Sequence, residues 1–404
     1  MAEMNRRDFI GTAACTVAAS AYAEPSPETR YMIGAYYFPN FHVDPRNEKV
    51  HGKGWTEWEI LKRGEPRYAG HHQPKKPLWG MEDESNPEVF QKKIAAAKSA
   101  AISYFIFDWY WYEDEPFLHR ALESGYMHAA NKDQVKFCLM WANHDWENIM
   151  PARLREKRSA YLAPKVYDYP GVYDAAAFDR VTDYIVSRYF TEPSYLKIDG
   201  APYFSIYELR HLIERMGGLE TARPAMERFR SKVRAAGFPD LHLNAVAWGV
   251  NELPDPSRTL LSLGVRSVTS YTWAHHCKMP DFPATEYESV LAQAEHFWQS
   301  ASDKYGVPYH TDVSMGWDPS PRSCQSDKYE QGDYPFTPTL IGNTPEMFQE
   351  ALARAKAHMG SSPNAPRILT INSWNEWTEG SYLEPEAKYG MSYLDAIRNV
   401  FRRL

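Results

Sequence analysis

The sequence predicts a single α/β catalytic domain built as a (β/α)8 barrel. Eight short apolar runs rich in β-forming residues alternate with amphipathic segments of helical period, the pattern of parallel strands with helical crossovers. The carboxyl ends of those runs gather aromatic and acidic side chains, which is where such barrels carry their chemistry. No Gly-x-Gly-x-x-Gly follows the first run, so an open dinucleotide-binding sheet is disfavoured.

In chain order the predicted strands are Tyr31–Phe38, Ser103–Trp111, Val135–Ala142, Pro202–Glu208, Leu241–Trp248, Ser267–Trp273, Tyr309–Trp317 and Arg367–Trp374. The helices are clearest at Pro87–Ala100, Ala175–Phe190, Thr221–Ala236, Tyr287–Tyr305, Pro345–Met359 and Ser392–Arg403. Asn86 before Pro87 is a helix start, and Gly237, Gly306 and Gly360 stand where helices should stop. The fifth and sixth units leave only Asp255–Leu263 for a connecting helix, the tightest fit in the pattern.

The strand ends read Tyr36-Tyr37, Asp108-Trp109-Tyr110-Trp111, Trp141-Ala-Asn143-His144-Asp145, Tyr207-Glu208, Trp248, Tyr271-Thr-Trp273 and Trp317-Asp318. We expect an aromatic cleft with acids at its floor. Tyr37, Trp109, Trp111, Trp141, Trp248, Trp273 and Trp317 are candidate stacking platforms for sugar rings. Asp108, Asn143, His144 and Asp145 are candidate contacts to sugar hydroxyls, with helix capping or loop anchoring as the alternative; Tyr207 is a further binding candidate, and Glu208 is a third carboxylate to support the catalytic pair, with a salt bridge to Arg210 or Lys197 as its alternative. The excursion Pro39–Ser85 is long for a compact barrel and is expected to close one end of the cleft, supplying Trp55, Glu57, His72 and Gln73.

After the last strand the chain runs Asn375-Glu376-Trp377-Thr378-Glu379-Gly380. Two carboxylates beside indoles suit glycosidic bond cleavage, in which one acid stays protonated to assist the leaving oxygen and the other stays ionised. Apolar walls and a neighbouring like charge separate the two pKa values. The alternative is a pair of solvated loop acids. Asn375 and Trp377 flank the pair and join the expected binding residues.

Several stretches together resemble the glycoside hydrolase family 99-like proteins, including their WbsX-like branch. They are Ala35-Tyr-Tyr-Phe-Pro39, Gly52-Lys-Gly-Trp-Thr-Glu-Trp58, His72-Gln-Pro74, Phe137-Cys-Leu-Met-Trp-Ala-Asn143, Tyr195-Leu-Lys-Ile-Asp-Gly200, Pro202-Tyr-Phe-Ser-Ile-Tyr207, Asn375-Glu-Trp-Thr-Glu-Gly380 and Leu383-Glu-Pro385. The resemblance implies a (β/α)8 barrel and a retaining hydrolase of α-linked glycans that uses the sugar's own 2-hydroxyl as nucleophile. It implies Glu376 as the base toward that hydroxyl and Glu379 as the acid toward the leaving oxygen. The loop after the first strand follows the WbsX-like pattern, which leaves the sugar open between mannose and another α-linked unit. A glycosyltransferase of surface-polysaccharide metabolism and a non-catalytic glycan-binding barrel are the rival readings.

The 404-residue chain carries a formal charge of −7, which gives no support for nucleic-acid binding, and no apolar run long enough to span a membrane. Its 13 Trp and 27 Tyr suit a sugar-binding cleft, although most such rings fill cores. Asn5-Arg6-Arg7-Asp8-Phe9-Ile10, an Ala-rich stretch and Ala21-Tyr22-Ala23 predict a twin-arginine-type export signal over residues 1–23, with the catalytic domain over 24–404 and a periplasmic or extracellular destination. Thr12-Ala-Ala-Cys15 is a poor lipoprotein box. Cys138, Cys277 and Cys324 form no disulfide framework, with a Cys277–Cys324 bridge left open. No zinc spacing occurs among the histidines, and the expectation is no catalytic metal or cofactor and an oligo- or polysaccharide partner.

Overall fold

A computed structural model describes residues 31–147, 149–154, 167–171, 174–361 and 366–402. The predicted export signal lies outside the described residues. Eight parallel strands form the barrel: β1 Met32–Tyr37, β2 Tyr104–Tyr112, β3 Lys136–Trp141, β4 Ala201–Ile206, β5 His242–Val246, β6 Ser267–Thr269, β7 Tyr309–Ser314 and β8 Ile368–Asn372. Each pairs with the next in sequence, and β1 pairs with both β2 (Gly34 opposite Tyr104) and β8 (Met32 opposite Ile368), so the sheet closes. All eight expected strands are present.

The principal helices are α1 Pro87–Ser99, α2 Ala175–Ile185, α3 Leu219–Ala235, α4 Pro256–Ser262, α5 Tyr287–Tyr305, α6 Pro345–Gly360 and α7 Ser392–Phe401. Asn86, Asp174, Asp255 and Thr344 each place a side-chain oxygen on an early backbone N–H of the helix that follows, satisfying donors that the first turn leaves free. Asp255 is how the cramped fifth unit still makes a helix. Gly306 ends α5 with φ 66°, a conformation that costs a side-chain residue. Gly360 closes α6 as its last residue instead of standing beyond it. Between β2 and β3 a π-helical turn, Ala121–Gly125, and a 3₁₀ turn, Tyr126–His128, replace the usual crossover helix.

The period-2 alternation of the strands decides which side chains reach the site. Outward residues such as Phe105, Phe107, Phe137 and Leu139 are buried in the core, where Phe107 meets Phe90 of α1. Inward residues are polar or aromatic: Ser205 donates to Asn244 at 2.7 Å, Thr269 meets Thr370 at 2.9 Å, and Tyr203, His242 and His310 stack at 5.2–5.9 Å. Gly34 makes room inside the barrel, because a Cβ there would stand 2.3 Å from the Tyr104 ring.

Candidate active site

A cleft of about 1130 Å³ opens at the carboxyl ends of the strands, larger than the roughly 300–1,000 Å³ usual for small-molecule pockets. Glu376 and Glu379 line its floor, with Asp108 from β2 and Tyr271 just after β6. Its walls include Phe38, Trp146, Tyr207, Trp248, Tyr334 and Phe336.

The acids reach the floor because their neighbours in sequence are anchored behind it. Lys93 of α1, fully buried, lies 2.6 Å from Glu84 and 2.7 Å from Glu384. Asn375 Nδ2 donates to Glu84 at 2.8 Å and to the Phe38 carbonyl at 2.7 Å. Trp374 and Trp377 donate their indole N–H groups to the two oxygens of Glu384, at 2.9 and 2.8 Å. Asn375, Trp377 and Glu384 therefore fasten the segment to the barrel wall, while the intervening Glu376 and Glu379 face the cleft. The Lys93 ammonium loses hydration on burial, yet Glu384 and Glu84 outweigh that loss and hold it above the ordinary lysine range. Gly380, at φ 64°, turns the chain after Glu379, and a Cβ there would stand 2.5 Å from the Asp318 Cβ.

One guanidinium organises the floor. Arg322, in the loop after β7, reaches Glu379 at 2.6 Å, Glu57 at 2.9 Å and Glu376 at 3.3 Å, and donates through Nε to Thr378 at 2.9 Å. Tyr334 donates to Glu379 at 2.5 Å, and Asn40 donates to Glu57 at 2.7 Å. Among the described residues, four buried carboxylates (Glu57, Asp108, Glu376, Glu379) thus face one cation on the floor, and full ionisation would leave three of these negative charges uncompensated by it. Burial, then the Glu379 charge, drives the Glu376 carboxyl well above the ordinary glutamate range, against the opposing pull of Arg322.

Of the expected binding residues, Asp108, His144, Tyr207, Glu208, Trp248 and Trp317 line the cleft. Trp248 is 38% exposed at the rim, where its ring packs 4.7 Å from His275 and its N–H meets Glu208 at 3.2 Å. The rest lie elsewhere. Tyr37, Trp109 and Trp141 point outward on their strands, one residue out of phase with the cleft: Tyr37 packs on Phe90, Trp109 donates to Tyr189 at 3.1 Å, and Trp141 meets Phe178. Trp111 likewise points outward and packs on Tyr184. Trp273 is buried against Tyr287 and Trp298 of α5. Asn143 pins the Glu208 backbone with two hydrogen bonds, and Asn375 and Trp377 serve the anchor already described.

The Pro39–Ser85 excursion buttresses the site from behind instead of roofing it. Glu57 supports Arg322, Trp55 stacks on His51 at 4.2 Å, and Gln73 donates to Asp318 at 2.7 Å. His72 lines a separate pocket of about 160 Å³ with Lys75 and Lys388. Arg322 and Tyr334 had no counterpart in the sequence reading of the site, and Tyr271 entered it only as a strand-end aromatic; Arg322 ends a short 3₁₀ turn, Ser320–Arg322, whose return to the floor no local pattern announces. Cys138, Cys277 and Cys324 are free. Among the described residues no three His, Cys, Asp or Glu side chains gather as a metal site, and no helix is long and apolar enough to cross a membrane.

The family described as glycosyltransferase WbsX matches residues 33–397. The chain belongs to that family. Two curated relatives, both the uncharacterised protein WxcX of Xanthomonas campestris pv. campestris, are 29% identical over 95% of this chain. The chain spans 51% of their length. Among solved structures, a family 99 endo-α-mannosidase from Bacteroides thetaiotaomicron is similar, with 16% identity, a TM-score of 0.51 and coverage of 91% of this chain and 95% of that one. A glycoside hydrolase-like protein matches with 15% identity, a TM-score of 0.59 and coverage of 93% and 95%. This WbsX-family chain therefore has the barrel fold of family 99 glycoside hydrolases.

Proposed function

We propose that the chain is an exported glycoside hydrolase that cleaves α-linked glycans, with Glu376 as base and Glu379 as acid. The observation that carries this reading is the placement of two buried carboxylates on one rigid turn at the floor of an aromatic cleft. Glu376 takes the proton of the sugar's 2-hydroxyl, and that oxygen attacks the anomeric carbon. The glycosidic oxygen departs with the proton of Glu379. Water then opens the anhydro sugar, giving its proton to Glu379, while Glu376 returns its proton to the 2-oxygen. Both carboxyls end as they began, and the anomeric configuration is retained by two inversions.

Glu379 acts as the acid once a glycan has entered and displaced water from the cleft, and Arg322 and Tyr334 hold its carboxyl in place. Tyr207 and Trp248 offer faces for sugar rings in the wall.

The family's description names a transferase, and it is the reading to test against. Purified protein is incubated with α-mannans and other α-linked polysaccharides, and separately with nucleotide-sugar donors plus acceptor glycans, and the products are separated by chromatography. Release of free sugars without a donor, with the α-anomer formed first by NMR, supports the hydrolase. Donor-dependent growth of an acceptor overturns it.

A further inference from the structure

We infer that Asp108 carries a proton which it shares through Tyr271, and that this arrangement leaves Glu376 as the charged member of the pair. Asp108 and Tyr271 are then positioning residues for the base, an inference that rests on the role proposed for Glu376. The argument is a proton count. The Tyr271 hydroxyl lies 2.9 Å from Asp108 Oδ2 and in still closer contact with Glu376 Oε2. A phenol has one proton and donates to one acceptor along that line. Were both carboxyls ionised, one carboxylate oxygen would face the lone pairs of the phenol with no proton between them. One carboxyl must therefore donate to the Tyr271 oxygen, while Tyr271 donates to the other.

The surroundings decide which. Glu376 Oε1 has the Arg322 guanidinium at 3.3 Å. Among the described residues Asp108 has no ion pair, and its buried Oδ1 has no hydrogen-bond partner. An ionised Asp108 would bury a bare charged oxygen, the costlier of the two arrangements. The neighbouring rings offer Asp108 no compensating charge: Tyr36 of β1, Tyr110 of β2 and Tyr207 after β4 are phenols that burial holds well above the usual phenol range, and so neutral. Glu376 and Glu379 add like charge from the segment after β8, and the nearby cation, Arg322, is engaged by Glu57 and Glu379. Burial pushes the Asp108 carboxyl well above the ordinary aspartate range and the Glu379 charge adds to it, against the Tyr271 hydrogen bond and Arg322.

Two readouts test this. The first needs no substrate, so it stands apart from the hydrolase reading. Infrared spectra of the substrate-free protein labelled with ¹³C-aspartate should show a protonated carboxyl C=O band at neutral pH that disappears in Asp108→Asn. An unchanged set of bands in Asp108→Asn overturns the inference. Should Asp108→Asn fail to fold, Tyr271→Phe replaces it: the band must move to higher frequency as its hydrogen bond is lost, and a stationary band overturns the inference. Asp312, the other buried aspartate with a raised pKa, is bonded to Tyr309 and Trp298 and stays unaffected by that change.

The second readout is the pH profile of glycan cleavage. If Asp108 is already neutral, Asp108→Asn leaves the midpoint of the acid limb in place. If Asp108 is charged, removing that charge lowers the midpoint by about a pH unit or more, which refutes the assignment. Tyr271→Phe raises the midpoint, because the Glu376 anion loses a donor, and an unmoved midpoint reduces Tyr271 to a packing residue.

Discussion

Replacing Arg322 by Met probes the floor of the cleft most severely. The side chain keeps its bulk and loses its charge, leaving Glu57, Glu376, Glu379 and Asp108 without the cation that now lies 2.9, 3.3 and 2.6 Å from the first three. Removing one partner of a buried ionic network costs about 3–5 kcal/mol. With an unfolding entropy of about 2.1 cal/mol/K per residue, a domain of this size has about 0.8 kcal/mol/K, so the melting temperature at neutral pH should fall by roughly 4–6 °C. The deficit must depend on pH. Burial and the Glu379 charge already hold the Glu376 carboxyl above its unfolded value, and without Arg322 it rises further. A carboxyl raised in this way contributes stability that is fully present below its unfolded pKa and is lost as pH climbs through the folded one. The gap to wild type should therefore be widest at neutral and alkaline pH and should close toward about pH 4. Thermal denaturation of both proteins across that range is the assay. A gap that is absent at pH 7, or that is the same at every pH, would refute the account of Arg322 as the charge that holds the floor together.

Lys93→Met removes the ammonium between Glu84 and Glu384 and should cost a similar ~3–5 kcal/mol by denaturant titration, whereas a loss under about 1 kcal/mol would mean that the anchor behind Asn375 and Trp377 is dispensable. Gly380→Ala should destabilise by about 1–2 kcal/mol for its left-handed backbone, with more from the displaced Asp318, and activity should fall further than stability because Glu379 precedes the turn. For the base, Glu376 must be ionised and its pKa is raised by burial and by Glu379, so the rate should rise with pH through a midpoint clearly above the ordinary value of about 4.3. A pH–rate profile with its acid limb at or below that value would remove Glu376 from the role.

The barrel was legible because its signals are local and repeated. Eight β-forming runs, helix starts such as Asn86-Pro87 and the glycine at 306 each state their element without reference to the rest of the chain. The acids of the last strand were legible for the same reason, standing together in one short segment. Apart from Trp248 and Trp317, which line the cleft, the expected tryptophans were not. Trp109 and Trp141 lie near strand ends as expected, but one step of strand phase separates the cleft from the helix layer, and a single sequence does not fix that phase where both faces are buried; Trp273 stands past the end of β6 in a 3₁₀ turn that carries it against α5. Asn375 and Trp377 flank the acids in sequence yet face away from them in space. Arg322 was missed for the opposite reason: it joins Glu57, Glu376 and Glu379 across separations that only the closed barrel brings to hydrogen-bond range.

The central claim is that Glu379 supplies a proton to a leaving sugar oxygen, and the most direct measurement compares two leaving groups in Glu379→Gln. A polysaccharide found to be cleaved by wild type requires protonation of its departing oxygen, while a dinitrophenyl α-glycoside of the same sugar departs without it. The account predicts a loss of roughly 10²–10⁴-fold on the polysaccharide and a far smaller one on the aryl glycoside. Equal losses on both substrates, or none on the polysaccharide, would contradict it.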